Sequence, residues 1–381
     1  MKNKILIIGS GLYGCTFATI WKRNNPDSII YMIEKRDVPG GNISTYKHRD
    51  IDIHEYGPHI FHTSDEEVWR FVNEFDEMIP YVQNTLAKDY YFNIYHLPFN
   101  MTTFKEIYGV IYPEDAKKKI EEDKVKYKKI NNLEEQAISL VGKKIYNLLI
   151  KNYTEKQWGK PCTELDKNII TRLPVRYEYN NNYFNDKYSA IPKNGYSYLI
   201  NNMINQYVDE IEYNIDVDKD YLDKHKDKYD LIIYCGAIDE LFNYEYGELE
   251  WRSLKFINTL IPKSNSQGCA VINDVSKENK YTRTIEHQYF TPWKFNFENL
   301  PDFILQTQEY PDSYDRTKER YYPINNDNTT KLYNKYVKLL NKIYDNVILG
   351  GRIGLYKYFD MDDTIRRAID DANKLTNEIK K

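Results

Sequence analysis

Cysteine is scarce in this chain of 381 residues: Cys15, Cys162, Cys235 and Cys269 stand far apart and form no C-x-x-C pair. That spacing argues against a structural zinc site and fits a reducing compartment, so a cytoplasmic protein is expected. An excess of positive charge is missing as well. Acidic residues number 57 against 53 basic ones, a formal charge of −4, and the basic stripe that a nucleic-acid binder needs is absent at the level of the whole chain. Long apolar runs are missing too. Met1 to Lys4 lead straight into Ile5-Leu6-Ile7-Ile8 and then glycine, a run too short for a signal sequence and far from the ~20 residues of a membrane helix. Neither export nor a membrane span is expected. Arginine is outnumbered, 13 against 40 lysines, so an arginine inside an apolar or aromatic segment could mark a place where lysine does not suffice, or the bias could equally be genomic composition. No internal repeat or low-complexity linker is evident, and at ~150 residues per domain the length suggests two or three interleaved units. Tyrosine, by contrast, is abundant, with 37 residues. The core is therefore expected to be aromatic and partly hydrogen-bonded.

The N-terminal pattern is a βαβ unit: a strand over Ile5 to Ile8, the turn Gly9-Ser10-Gly11-Leu12-Tyr13-Gly14, a helix over Cys15 to Arg23, and a strand over Ile29 to Glu34. Gly9 permits the tight turn, Gly11 lets backbone approach a pyrophosphate, and Gly14 lets helix and strand pack closely. Glu34 follows Gly14 by 20 residues, where a carboxylate can accept the hydroxyls of an adenosine ribose. A second glycine pair, Gly40-Gly41-Asn42, lets another loop approach the cofactor, which favours the long FAD molecule over a nicotinamide dinucleotide.

Beyond this unit, Ser64 is expected to cap a helix running to Phe75, with Glu67 three residues later. Helical signals continue from Thr103 to Ile150, including a charged segment over Ala116 to Lys129 and a periodic stretch over Leu133 to Leu149. Its charge run reads as a solvated helix face. A helix is expected over Tyr196 to Tyr207, a buried strand over Leu231 to Cys235, and a terminal helix through Ala368 to about Ile379. Between them, Trp251 to Ile257, Ala270 to Asn273, Tyr281 to His287 and Phe303 to Gln308 are expected to build an antiparallel sheet. The expected fold is α/β: a Rossmann-like FAD-binding domain (1–75, 191–242 and 316–381), an inserted helical domain (76–150) and an antiparallel sheet domain (151–190 and 243–315).

Several segments could carry chemistry. His59 and His62 in Tyr56-Gly57-Pro58-His59-Ile60-Phe61-His62 lack a companion carboxylate or cysteine cluster, so they suit packing or the lining of a cofactor site better than a metal, and no metal is expected. Tyr153 and Trp158 could stack a nucleotide base, or in so aromatic a chain could be core or interface residues. Arg172, Arg252 and Arg283 could clamp a nucleoside diphosphate through guanidinium forks, or could pair with the many acids.

Taken with the turn at Gly9 to Gly14, Glu34-Lys35-Arg36 and Gly40-Gly41-Asn42, the runs Tyr56 to Thr63, Leu97-Pro98-Phe99-Asn100-Met101, Leu133 to Ala137 and Tyr153-Thr154-Glu155-Lys156-Gln157-Trp158-Gly159 resemble bacterial UDP-galactopyranose mutases. So do Asn181 to Phe184, Arg252 to Phe256, Tyr281-Thr282-Arg283 and Tyr356-Lys357-Tyr358, and the resemblance covers essentially the whole chain. It implies FAD, active when reduced, and a reversible, non-redox conversion of UDP-galactopyranose to UDP-galactofuranose through a flavin N5–sugar adduct. It also implies a homodimer, an external reductant for the flavin, and a product used for cell-surface polysaccharide. By matched position, Arg172 and Arg283 resemble the pair holding the substrate diphosphate, Tyr153 the uracil-stacking residue and Trp158 a wall of the substrate cleft. Asn84, Thr154, Tyr183, Arg252, Asn273, Tyr310 and Tyr358 resemble further substrate contacts. For the cofactor, Gly9, Gly11, Leu12, Tyr13, Gly14, Glu34, Lys35, Gly41, Asn42, Tyr56 and Gly57 match binding positions. His59 and His62 resemble residues lining the flavin face, while Arg352, Asp360 and Met361 lie at positions beside the ring. Two other readings share the fingerprint: a flavin oxidase or dehydrogenase of the amine-oxidase type, which would consume an acceptor at every turnover, and a non-catalytic FAD or nucleotide-sugar binding protein.

Overall fold

The computed structural model describes residues 3–170, 174–263, 265–295 and 301–379. Backbone contacts divide the chain into two compact units, one formed by Met1–Pro80, Lys187–Arg252 and Lys318–Lys381 and the other by Tyr81–Asp186 and Ser253–Thr317.

In the first unit Ile5, Leu6 and Ile7 of the strand Lys4–Ile8 are fully buried. A strand with no wet face belongs inside a parallel sheet covered on both sides. The sheet has five strands in the order Glu210–Glu212, Ile29–Ile33, Lys4–Ile8, Leu231–Tyr234 and Val347–Leu349, each neighbouring pair parallel. The helix Leu12–Asn24 buries Phe17, Ala18 and Trp21 and packs against the helices Met361–Ile379 and Tyr196–Tyr207. Ile365, Ala368, Ile369 and Ala372 form the buried stripe of the terminal helix, an apolar spacing that puts all four on one face.

One boundary shifts from expectation. Asp65, not Ser64, caps the helix Glu66–Asn73, its Oδ1 accepting from the N–H groups of Glu67 at 2.9 Å and Val68 at 3.2 Å. Both residue types cap helices, but the carboxylate also suits the positive helix end and is gripped by Arg366, Nε to Oδ2 at 2.8 Å. Ser64 instead accepts the N–H of Lys187 at 3.1 Å.

The strands Ile304–Ser313, Arg283–Glu286 and Val271–Asp274 lie in the second unit at the expected places, as does the strand Trp251–Ile261 from Ser253 onward. The sheet goes on through Thr85–Lys88 and Ile94–Leu97, strands within a segment expected to be helical. Thr85–Lys88 pairs parallel with Val271–Asp274, so the sheet is mixed rather than wholly antiparallel. Four-residue strands are too short for their alternation to show, and the partner that defines this one lies far along the chain.

The charged helix runs over Pro113–Asp123, with proline at its first turn, and ends earlier than expected. The stretch over Leu133 to Leu149 is broken at Gly142, φ +83°, and passes through a π-helical turn, Tyr146–Ile150, into the helix Lys151–Trp158. Phe104, Ile120, Leu133 and Ile145 from the helices share one core with Ala87, Leu97 and Val275 beside the sheet. Helical and sheet segments are thus joined in one compact unit. Among the described residues no helix is long and apolar enough to cross a membrane.

Candidate functional site

The glycine turn lies where the first strand of the parallel sheet meets the N-terminus of Leu12–Asn24. Gly9 has φ +108°, and its N–H donates to the carbonyl of Ile33 at 2.8 Å. A Cβ on Gly14 would lie 2.2 Å from the Gly9 carbonyl oxygen, so the helix can start this close only without a side chain there. A Cβ on Gly11 would meet nothing within 4 Å. Gly11 therefore faces an open hollow. The second glycine turn comes to the same place: the N–H of Gly40 donates to the Ser10 carbonyl at 3.0 Å, and Gly40 bridges to Gly11. No side chain caps the helix at Gly11, so its first N–H groups and positive end are available to an anion. Close backbone, a helix N-terminus and a hollow together fit a dinucleotide pyrophosphate.

Leu12 and Tyr13 belong to this turn but turn their side chains inward. Tyr13 is 3% exposed, packs its ring where a Cβ on Gly350 would stand, and donates its hydroxyl to Asp371 at 2.7 Å. These two positions can serve a cofactor through backbone only. Glu34 is buried at the end of its strand, Oε2 accepting from Ser10 N–H at 2.9 Å and Ser10 Oγ at 2.6 Å, and Oε1 from Arg36 N–H at 3.0 Å. A carboxylate has about four acceptor sites, so capacity for a ribose hydroxyl remains and its direction is set.

Lys35 places its ammonium 2.7 Å from Asp216 and is largely exposed. Its neighbour Arg36, absent from the expected set, organises the loop. Its guanidinium lies 4.4 Å from the centre of the Tyr56 ring and donates through Nη2 to Asn42 Oδ1 at 3.1 Å and to Glu319 at 2.7 Å. Its rarity among lysines was the available signal. Gly57 takes φ +101°. His59 donates its N–H to Nδ1 of His54 at 3.0 Å, and its carbonyl accepts from the Tyr196 hydroxyl at 3.0 Å. His62 is half-buried on the strand Phe61–Thr63. Burial raises the carboxyl of Asp362, while hydrogen bonds from the Asp363 backbone and Thr63 act in the opposite sense.

A third group gathers around Tyr322. Arg252 stands opposite Tyr322 in an antiparallel pair, and the Tyr358 ring lies 5.9 Å from that of Tyr322. Arg352 lies 4.8 Å from the Tyr358 ring centre and donates to the Phe359 carbonyl at 2.8 Å. Asp360 accepts the Thr364 N–H through its carbonyl at 3.0 Å, and Met361 packs on the core.

In the second unit, Tyr153, Thr154 and Trp158 lie on one short helix, Thr154 buried and the two aromatic residues half-buried. Lys156 fixes that helix to the sheet, donating to the carbonyls of Asp274 at 2.8 Å and Tyr281 at 2.9 Å. Burial lowers the pKa of Lys156 while the Asp274 carboxylate opposes the change. Strand register then sets Asn273 opposite Arg283, and Arg283 opposite Glu309. Arg283 Nε lies 3.0 Å from Glu309 Oε1, which also accepts from Thr282 Oγ1 at 3.0 Å. Burial raises the Tyr183 hydroxyl, with the Arg283 charge pulling the other way, so the phenol sits within the field of that guanidinium.

Tyr310 donates its hydroxyl to Gln308 at 3.0 Å. Asn84 is exposed just before the strand Thr85–Lys88. Arg172 lies outside the described residues. Glu309 was not legible as a site residue, since an acid in a strand shows only as part of an alternation. A guanidinium aimed by a buried carboxylate, with an amide and a phenol beside it, is suited to an oxyanion such as a diphosphate.

Comparison with known proteins gives concordant results. A family profile described as UDP-galactopyranose mutase matches residues 148–358, and one described as an NAD(P)-binding Rossmann-like domain matches residues 7–75. The chain is 34% identical to the probable UDP-galactopyranose mutase of Klebsiella pneumoniae, over 100% of this chain and 96% of that protein. It is 35% identical to the dTDP-fucopyranose mutase of Escherichia coli, over 97% of each. Its fold matches a crystal structure of reduced UDP-galactopyranose mutase with a TM-score of 0.74 at 13% identity, covering 99% of this chain and 94% of that one.

Proposed function

Because the chain belongs to the UDP-galactopyranose mutase family, we propose that it interconverts UDP-galactopyranose and UDP-galactofuranose with FAD in its reduced form. The observation that carries this reading is the row Asn273–Arg283–Glu309 inside the family-matched segment, in a chain whose other unit has open space beside the bare backbone of Gly11 at a helix N-terminus. Reduced flavin, when bound, supplies a nucleophilic nitrogen for a ring contraction with no net electron transfer.

The protein's own residues bind and orient. Gly9, Gly11, Gly14 and Gly41 admit the pyrophosphate to bare backbone, and Glu34 accepts from the ribose. Asn42, Tyr56, Gly57, His59, His62, Arg352, Asp360 and Met361 shape the rest of the cofactor site. Arg172 and Arg283 hold the diphosphate and stabilise the charge that grows on it as the anomeric bond breaks. Tyr153 and Trp158 take the base, and Asn84, Thr154, Tyr183, Arg252, Asn273, Tyr310 and Tyr358 take sugar and ribose. The working form is a cytoplasmic homodimer reduced by an external donor, and its product feeds cell-surface polysaccharide.

A second substrate has a specific observation in its favour, the 35% identity to a dTDP-fucopyranose mutase. The ring chemistry is the same. The ligands differ by a methyl on the base, a ribose hydroxyl and the hydroxyl on sugar carbon 6, and a methyl alone is worth only about 10- to 200-fold in discrimination. The test incubates dithionite-reduced protein, without an electron acceptor, with UDP-galactopyranose and with dTDP-fucopyranose. Higher kcat/KM on the UDP-galactose pair is the expected outcome. A higher value for dTDP-fucopyranose reassigns the substrate. Turnover only with an acceptor points to the oxidase class, and binding without conversion to a non-catalytic protein.

A further inference from the structure

The hairpin between the strands Thr85–Lys88 and Ile94–Leu97 carries Tyr90, Tyr91 and Phe92 at its tip, 56%, 81% and 76% exposed. Three consecutive aromatic residues in water are not explained by packing. The tip is also held in a costly shape. Phe92 has φ +64°, a region that bulky side chains rarely enter and that marks functional positions when neighbours enforce it.

Asp89 does the enforcing. Its N–H donates to the Asn93 carbonyl at 3.1 Å, and its carbonyl accepts from Phe92 N–H at 3.2 Å. Its carboxylate accepts from Asn93 N–H at 2.9 Å, Asn93 Nδ2 at 2.8 Å and the Tyr95 hydroxyl at 3.2 Å. Glycine at residue 92 would remove the strain at the loss of the ring.

The tip lines a half-open surface hollow of about 490 Å³ together with Lys88, Asp89 and Asn279. The polar groups of the cavity are oriented and their charges balanced. Lys88 Nζ lies 5.5 Å from the Phe92 ring centre, 3.3 Å from the Tyr281 hydroxyl and 3.7 Å from Asp274. Asn279 Nδ2 donates to Asp274 Oδ2 at 2.8 Å, which fixes its amide. Apolar ring faces beside a fixed amide, in a lining whose one cation, Lys88, is matched in number by one anion, Asp89, suit a ligand that is uncharged and carries both C–H faces and hydroxyls.

We infer that the Tyr90–Tyr91–Phe92 tip and Asn279 form a second carbohydrate site that takes a neutral hexosyl unit. The inference stands on this cavity and does not depend on the proposed substrate. Saturation-transfer NMR tests it on the full-length holoenzyme with methyl β-D-galactofuranoside, methyl β-D-galactopyranoside and methyl β-D-glucopyranoside. UDP is kept saturating so that nucleotide-sugar contacts are blocked.

Wild-type protein is expected to transfer saturation to the ring protons of at least one glycoside. Tyr91→Ala and Phe92→Gly are each expected to weaken that binding about tenfold or more while leaving kcat/KM unchanged. Phe92→Gly relieves the backbone, so its Tm is expected to stay level or rise, which separates loss of the ring from loss of the fold. No transfer to any of the three glycosides overturns the inference, as does transfer that survives both substitutions. Co-sedimentation of the wild type with phosphatidylcholine–phosphatidylglycerol vesicles, lost in Tyr91→Ala without glycoside binding, overturns it in favour of a lipid surface.

Discussion

Arg283 and Glu309 face each other directly across neighbouring antiparallel strands, Nε to Oε1 at 3.0 Å, with the glutamate side chain 2% exposed. The carboxylate pays the desolvation cost of sitting inside the sheet and in return sets the direction of the guanidinium. Removing it leaves a largely buried cation without its acid, a change that costs on the order of 3–5 kcal/mol in comparable pairs. Glu309→Ala is therefore expected to lower the urea midpoint by an amount equivalent to about 3 kcal/mol and to raise KM, whereas Glu309→Gln keeps an acceptor and loses less. An unchanged midpoint in the alanine variant would mean that the pair contributes nothing to the fold.

The diphosphate role of the arginines is measured separately. Charge-assisted hydrogen bonds are worth about 1.5–3 kcal/mol, roughly 10- to 150-fold, so Arg283→Ala and Arg172→Ala are each expected to reduce kcat/KM by that factor. Lysine restores the charge but not the planar fork, and rescue is expected to be partial. Full activity in both alanine variants would leave ion pairing as the only role of these residues.

Two glycines of one turn predict opposite outcomes. Gly11 has backbone angles open to any residue, φ −73° and ψ 179°, and space around its missing Cβ. Gly11→Val is expected to fold with normal far-UV circular dichroism and to be purified without flavin, its side chain filling the hollow. Gly14→Val drives Cβ to 2.2 Å from the Gly9 carbonyl oxygen and is expected to fail to give soluble protein. Normal flavin content in folded Gly11→Val would falsify the assignment of the hollow.

His287 supplies a pH signature. Its ring is fully buried, with Nε2 2.7 Å from Thr307 Oγ1, and burial takes its pKa from 6.5 down to about 3. Below about pH 6.5 the unfolded chain binds a proton that the folded chain does not, so unfolding gains proton binding as the medium acidifies. The stabilisation is complete above about pH 6.5 and is lost as pH falls towards 3, at up to about 1.4 kcal/mol per pH unit. Urea titrations at about pH 7 and pH 5 are expected to show this loss in the wild type and a flatter profile in His287→Gln. Parallel profiles would place the acid sensitivity elsewhere.

What the amino-acid sequence determined by itself was local. The turn Gly9 to Gly14, the carboxylate at Glu34, the helices Tyr196–Tyr207 and Met361–Ile379 and four strands of the second sheet follow from glycine chemistry and from apolar periodicity within a dozen residues. Tertiary structure decided what depends on distant partners. Thr85–Lys88 is a strand because Val271–Asp274 satisfies its backbone groups, and Asp65 wins the cap over Ser64 because Arg366 grips it from the terminal helix. The same holds within the site: Arg36 reaches Tyr56 and Glu319, and Glu309 reaches Arg283, only when strands and loops from separate parts of the chain are laid side by side. Backbone hydrogen bonds and buried charges must be satisfied somewhere in the fold, and sequence shows the need without showing the partner.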